Sequence, residues 1–333
     1  MEAIIKNLPG VFTCIVIAVL SSHLGGQIPL IGGPVFALFS GIILNPFIKS
    51  DKRLSPGLDF TSKRLLKFAI ILLGFSLSIG HILEVGKISL AVMVFTLAAS
   101  FGFGHLFGRL FKMNWKLSSL ISAGTGICGG SAIAALSPVI EADDSDITYA
   151  ITATFIFDIA MILLFPIMGS RLGLSDLAYG LWTGTAVNDT SSVVAAGYAY
   201  SNAAGEFATI VKLTRTLSII PTVVIFSYIA QRQENKITLK NANTSIKSIF
   251  PYFIIFFILA AVINSIGLIP PQVGSIITKS SKFFMIMALG AIGLKTDIRE
   301  VKNSGLVPML HGFIISAIVV IVSLGVQVLL GQV

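Results

Sequence analysis

Apolar runs about twenty residues long alternate with short polar connections along almost the whole chain. A run of that length crosses the hydrocarbon of a bilayer as one α-helix. The pattern predicts an all-α polytopic membrane protein with about eleven spans, near residues 9–24, 28–48, 65–83, 88–111, 117–139, 148–168, 176–200, 207–230, 249–266, 271–294 and 304–330. One long polar interval, 231–248, reads as a cytoplasmic linker. It divides a single transporter domain (residues 1–333) into eight spans over 1–230 and three over 249–333. In two spans the apolar pattern fails midway. The fifth carries Gly124-Thr125-Gly126-Ile127-Cys128-Gly129-Gly130-Ser131, and the seventh Gly184-Thr185-Ala186-Val187-Asn188-Asp189-Thr190-Ser191-Ser192. Hydrocarbon offers backbone no hydrogen bonds, so a break at membrane depth needs cover from protein or a water-filled cavity. Paired broken helices point to the substrate site of a transporter.

Composition agrees: 55% of the 333 residues are hydrophobic, only 11% are charged, and mean hydropathy is +0.92. The net charge of +8 could suggest nucleic acid. The basic residues, however, sit in alternate loops, where membrane topology explains them. They follow spans two, four, six, eight and ten, which predicts a cytoplasmic N-terminus and an external C-terminus in a bacterial plasma membrane. Cys14 and Cys128 lie in apolar context, and no CxxC or histidine cluster occurs, so no disulfide, metal site or cofactor is expected. The first apolar run lacks a cleavage site and reads as a span.

The chain also echoes itself. Arg64, Lys67 and Phe68 resemble Lys279, Lys282 and Phe283; Gly74 matches Gly290; Glu84-Val85 matches Glu300-Val301. Spans three and ten lie seven apart and run in opposite directions, the signature of an inverted repeat. Residues 42–45 and 261–264, both ending in asparagine, extend the match to spans two and nine. The interrupted spans, two apart, are parallel by this count and do not close the symmetry.

Four charges fall inside spans: Asp158, Asp189, Lys212 and Arg215. Each costs about 2.5–3.5 kcal/mol at the bilayer centre on insertion scales. Arg215 lies roughly 13 Å in from the outer end of its span, beyond easy snorkelling. Such charges imply pairing, or a polar cavity. A half-helix starting near Ser131 would direct free N–H groups at an anion, with Thr125 and Ser131 adding hydroxyls. The bland alternative, close helix packing through small residues, remains for the glycines. Lys212 and Arg215 would hold the anion, and Asp158 or Asp189 would carry a coupling proton or cation. A nucleophilic Ser131 would need a base in reach. His311 is expected near an inner end, so no enzyme is expected.

Residues 124–135, 185–196 and 211–215 carry a resemblance, spread over nearly the whole chain, to the YeiH-like sulfate exporter family. That family is similar in architecture to cation–proton antiporters and bile-acid symporters. The resemblance implies crossed discontinuous helices and alternating access, with Gly129, Gly130, Asn188 and Asp189 near the crossing. The expected function is secondary export of a small anion such as sulfate, sulfite or a sulfonate. The expected substrate set is Thr125, Gly126, Cys128, Gly129, Gly130, Ser131, Asn188, Thr190, Ser191, Lys212 and Arg215. The alternative is a Na⁺/H⁺ antiporter using Asp189 and Asp158. Expected partners are the anion, protons or Na⁺, lipid and a second copy of the chain.

Overall fold

The computed structural model describes residues 2–27, 32–48, 51, 53–234, 252–295 and 305–333, and among these all regular structure is helical. In chain order the helices are α1 (Glu2–Gln27), α2 (Gly32–Ile48), α3 (Ser55–Asp59), a π-helical turn (Phe60–Leu65), α4 (Leu66–Gly74), α5 (Ile79–Leu110) and α6 (Trp115–Ala123). A second π-helical turn (Gly124–Cys128) leads to α7 (Gly130–Leu136), α8 (Asp144–Arg171), α9 (Asp176–Ala186), α10 (Thr190–Tyr200), α11 (Asn202–Thr216) and α12 (Ile219–Glu234). The last three are α13 (Tyr252–Ser265), α14 (Pro271–Lys295) and α15 (Leu306–Leu329). Six stretches among the described residues are long and apolar enough to cross a membrane: Lys6–Gly25, Ile79–Leu110, Ser145–Arg171, Asn202–Ala230, Gln272–Lys295 and Leu306–Leu329. Two shorter apolar helices, Phe36–Ile48 and Tyr252–Ser265, accompany them. The predicted linker lies outside the described residues beyond Glu234, as does the Glu300-Val301 echo.

Two boundaries differ from the hydropathy pattern. The gap expected around residues 83–88 falls instead after α4. There the Ser78 hydroxyl accepts the His81 N–H at 3.2 Å, and the Ser265 hydroxyl accepts the Ile79 N–H at 2.8 Å. Those two acceptors satisfy early N–H groups of α5, so Glu84 and Lys87 ride on the helix rather than in a loop. The predicted eighth span is likewise two helices, α11 and α12, with Lys212 and Arg215 near the C-terminal end of α11.

The chain forms two compact units, and each draws on sequence from both sides of the linker. The first comprises Met1–Glu84, Val194–Gly205 and Tyr252–Glu300. Its core includes Cys14, Ile17, Ala37, Leu58, Met287 and Leu294. One pattern of contact occurs twice in it. Gly293 of α14 lies against the Leu38 carbonyl of α2, and Gly74 of α4 lies against the Phe257 carbonyl of α13. Asn45 Nδ2, from α2, donates to Leu294 O at 2.7 Å, and Asn264 Nδ2, from α13, donates to Leu77 O at 3.2 Å. In each case a glycine without a Cβ lets the helix backbones touch. An asparagine two turns beyond the contacted carbonyl then satisfies a carbonyl near the neighbouring helix end.

The second unit comprises Val85–Val193, Glu206–Pro251 and Val301–Val333. Here α15 packs on α8, α9 and α6, around a core that includes Leu120, Ile121, Ile127, Ile133, Ile315 and Val319. Asn114 opens α6 by accepting the Lys116 N–H, and Ser175 opens α9 by accepting the Ala178 N–H. Such caps satisfy one of the free N–H groups at each helix start.

Candidate functional site

Both interruptions lie in the second unit, and they meet. The first is narrower than the glycine content predicts. Residues 124–128 stay helical but widen into a π turn, in which Gly129 N–H reaches Gly124 O at 2.8 Å. Only Gly129 leaves the helix, at φ 63° and ψ −133°, a region that residues with a side chain avoid. A Cβ there would stand 3.2 Å from the Cβ of Asp189. The second interruption spans Val187 to Asp189, between α9 and α10. Gly129 and Asp189 are thus the point of contact between the two broken helices.

Breaking a helix strands carbonyls on one side and N–H groups on the other, and buried ones need partners. Two cations take the carbonyls. Lys212 Nζ donates to Ile127 O at 2.7 Å and to Val187 O at 3.0 Å. Arg215 donates through Nε to Gly126 O at 2.5 Å, through Nη1 to Val187 O at 3.2 Å, and through Nη2 to Thr125 O. Val187 O, at the end of α9, receives both. The carbonyl of Ser122, one turn before the widening, is taken by the Ser100 hydroxyl at 2.7 Å. Lys212 and Arg215 are both fully buried. Positive charge at two converging helix C-termini is also favoured by the helix dipoles.

One carboxylate does the converse at the start of α10. Asp158, buried within α8, accepts the Asn188 N–H on Oδ1 and the Asp189 N–H on Oδ2, each at 2.8 Å. Asp189 turns back on its own helix, its Oδ2 accepting the N–H and hydroxyl of Ser191. Asp158 lies within Coulombic reach of Asp189 and Lys212. Two positive and two negative side chains therefore share one locus, with Lys212, Arg215 and Asp158 buried and Asp189 half-buried.

A family model described as Conserved hypothetical protein 698 matches residues 9–312. The chain belongs to that family. Among similar relatives is a UPF0324 membrane protein of Clostridium tetani, 57% identical over 340 residues, covering 98% of this chain and 99% of its own length. UPF0324 membrane proteins of Streptococcus pneumoniae and Fusobacterium nucleatum are 44% and 38% identical, over 99% and 98% of this chain and 99% of their own lengths. With relatives named as membrane proteins and several long apolar helices, this family member is a membrane protein.

The structure brings most of the expected site residues of this Conserved hypothetical protein 698 member together. Thr125, Gly126, Cys128, Gly129, Asn188 and Ser191 are buried at or beside the junction; Gly130, Asp189 and Thr190 are half-buried; Ser131 is exposed. Cys128 packs into the apolar core beside Ile127. His311 Nε2 lies 3.0 Å from Gly104 O and 3.3 Å from Ser118 Oγ, so its partners are on α5 and α6. Other polar groups at the junction escaped the sequence reading. Ser316 of α15 lies 3.5 Å from Thr125 Oγ1 and 3.3 Å from Asn188 Nδ2, and Thr154 O accepts from Asn188 Nδ2 at 3.4 Å. Farther along α15, Ser323 pairs with Thr185 at 2.5 Å. A signal was present: Gly312, Ser316, Ser323 and Gln327 recur on one helical face of an otherwise apolar segment, and all four are buried.

Proposed function

We propose that this protein is a secondary transporter of the bacterial cell membrane, and that its solute binds where the two interrupted helices meet. The observation that carries the reading is the pair of breaks, with carbonyls held by Lys212 and Arg215 and N–H groups held by Asp158. Four ionisable groups kept at such a cost, around backbone that is not helical, are what a polar passage at membrane depth needs. The duplicated clasp of the first unit supports an inverted repeat and, with it, eleven crossings, a cytoplasmic N-terminus and an external C-terminus.

The substrate we infer is a small sulfur oxyanion or sulfonate, moved outward with coupling to protons. Ser131, exposed at the first break, and Thr190, next to Asp189 in sequence, offer hydroxyl donors. The backbone contacts use two of the three Lys212 donors and three of the five Arg215 donors, so both cations act first as fixed positive charge behind the junction. Asp189 is the proton carrier in this scheme: its ionised form repels an anion from the junction, and its protonated form admits one. No enzymatic step is needed. In proteoliposomes, saturable flux of sulfite, sulfate or a small sulfonate is expected, driven by a pH gradient and lost in Asp189→Asn.

One observation favours a second reading. With Lys212 and Arg215 engaged by backbone, the ionisable side chain at the junction with solvent exposure is Asp189, which suits a cation–proton antiporter. In that case Na⁺ would dissipate a pH gradient in the same vesicles with no anion present.

A further inference from the structure

A second polar cluster lies behind the junction, and its chemistry differs from that of the charged groups. Asn188 is fully buried, and its Nδ2 makes two long contacts, to Ser316 Oγ and to Thr154 O. A backbone carbonyl only accepts, so the amide nitrogen must be the atom facing Thr154 O. That orientation leaves Asn188 Oδ1 buried with no donor among the described residues. Leaving a buried acceptor unpaired is costly in a protein interior. Beside the amide, Ser316 Oγ accepts from Nδ2, and the fully buried hydroxyls of Thr125 and Ser316 touch each other only loosely, at 3.5 Å. Neither is spent on the carbonyl one turn back on its helix, in contrast with Thr154, whose hydroxyl bonds Ala150 O at 3.0 Å. Asp158 faces the same peptide, with one N–H on each oxygen and a lone pair spare on each.

We infer that Asn188 Oδ1, Thr125 Oγ1 and Ser316 Oγ form a binding site for a small dehydrated monovalent cation of the Na⁺ class, with Asp158 supplying the balancing charge. The donor set decides the ligand. All its atoms are oxygens, which suit hard cations. Its side chains are neutral, whereas divalent ions are held by several carboxylates, and no cluster of three metal-ligating side chains occurs among the described residues. An anion would need the orphaned atom to be a donor, and it is an acceptor. Asn188 also links the site to transport: its backbone N–H and that of Asp189 share the Asp158 carboxylate. A cation bound here fixes the segment between α9 and α10 on which Asp189 stands. The inference rests on the transporter reading and adds Na⁺ to the proton as a second coupling ion, bound beside the solute rather than in its place.

The test is thermal unfolding and titration calorimetry on purified full-length protein at constant ionic strength, with Na⁺, K⁺ or choline as the chloride salt. Na⁺ is expected to raise the unfolding midpoint saturably by about 2–5 °C, with K⁺ and choline giving little. Ser316→Ala and Thr125→Ala are expected to weaken Na⁺ at least tenfold while leaving the midpoint in choline within about 2 °C of the wild-type value. Equal response to all three cations overturns the site and leaves buried water on these oxygens. Saturable Na⁺ binding that both variants retain overturns its location. Na⁺ binding without anion flux under any gradient removes the anion-transport reading and keeps the site; anion flux with no Na⁺ dependence and no Na⁺ binding does the reverse.

Discussion

Arg215 shows how one residue can be bound to the architecture. Its guanidinium reaches three carbonyls on two broken helices, a task for a planar fork of fixed donors that lysine cannot reproduce. Arg215→Lys should therefore behave as a severe substitution, costing about 2–4 kcal/mol of stability to denaturant in detergent, since two or more carbonyls lose a charge-assisted donor. Lys212→Met should cost a similar amount, about 3–5 kcal/mol, because it also leaves the buried Asp158 carboxylate less well balanced. A loss below about 1 kcal/mol in both would mean that the cations do not hold the breaks. Lys295, at the end of a span, bonds Asp59, which lies outside the spans, and holds its carboxyl below the ordinary carboxylate range. A carboxyl lowered in the fold stabilises above its unfolded value and stops doing so as pH falls through the folded one. The pair is partly exposed, so Asp59→Asn should change stability at neutral pH by only about 0–1 kcal/mol, and by less still once pH drops to about 3.

At the scale of the element, adjacent glycines make a controlled comparison. Gly129 has a positive φ and lies against Asp189, whereas a Cβ on Gly130 would meet nothing within 4 Å. Gly129→Ala should cost about 1–3 kcal/mol and abolish flux, and Gly130→Ala should stay within about 1 kcal/mol of wild type with flux retained; equal effects would show that the break does not depend on Gly129. The existence of the breaks was legible in the sequence, because glycine runs and ionisable residues stand out against apolar spans. Their shape was not. Four glycines in seven residues suggest unravelled backbone, but residues 124–128 keep a helical path by widening the turn, and the carbonyls that this displaces are caught by Lys212, Arg215 and the Ser100 hydroxyl. Nor could the sequence assign Lys212 and Arg215 to backbone rather than to a solute, since charge pattern alone does not show which acceptor a buried cation meets. Ser316 was missed because a lone serine in a long apolar helix is ordinary.

At the scale of the molecule, the first unit holds two similar clasps, which share the echoed asparagines Asn45 and Asn264 but use Gly74 and Gly293 rather than the echoed Gly74 and Gly290. If the two clasps are equivalent, Asn45→Ala and Asn264→Ala should destabilise the protein by the same amount, about 1 kcal/mol each, and a difference beyond about 1 kcal/mol would argue against a repeat. In the second unit, transport needs the junction of the broken helices to be open to fluid and occupied in turn by a solute. The most direct measurement is solute protection of Ser131→Cys in membranes against a water-soluble thiol reagent, the native Cys14 and Cys128 being buried and serving as unreactive controls. Cys at position 131 is expected to be labelled, and sulfite or a small sulfonate is expected to slow labelling saturably, as a fluid-filled solute site requires. A position 131 that no reagent reaches, or one labelled at the same rate whatever solute is present, would contradict it.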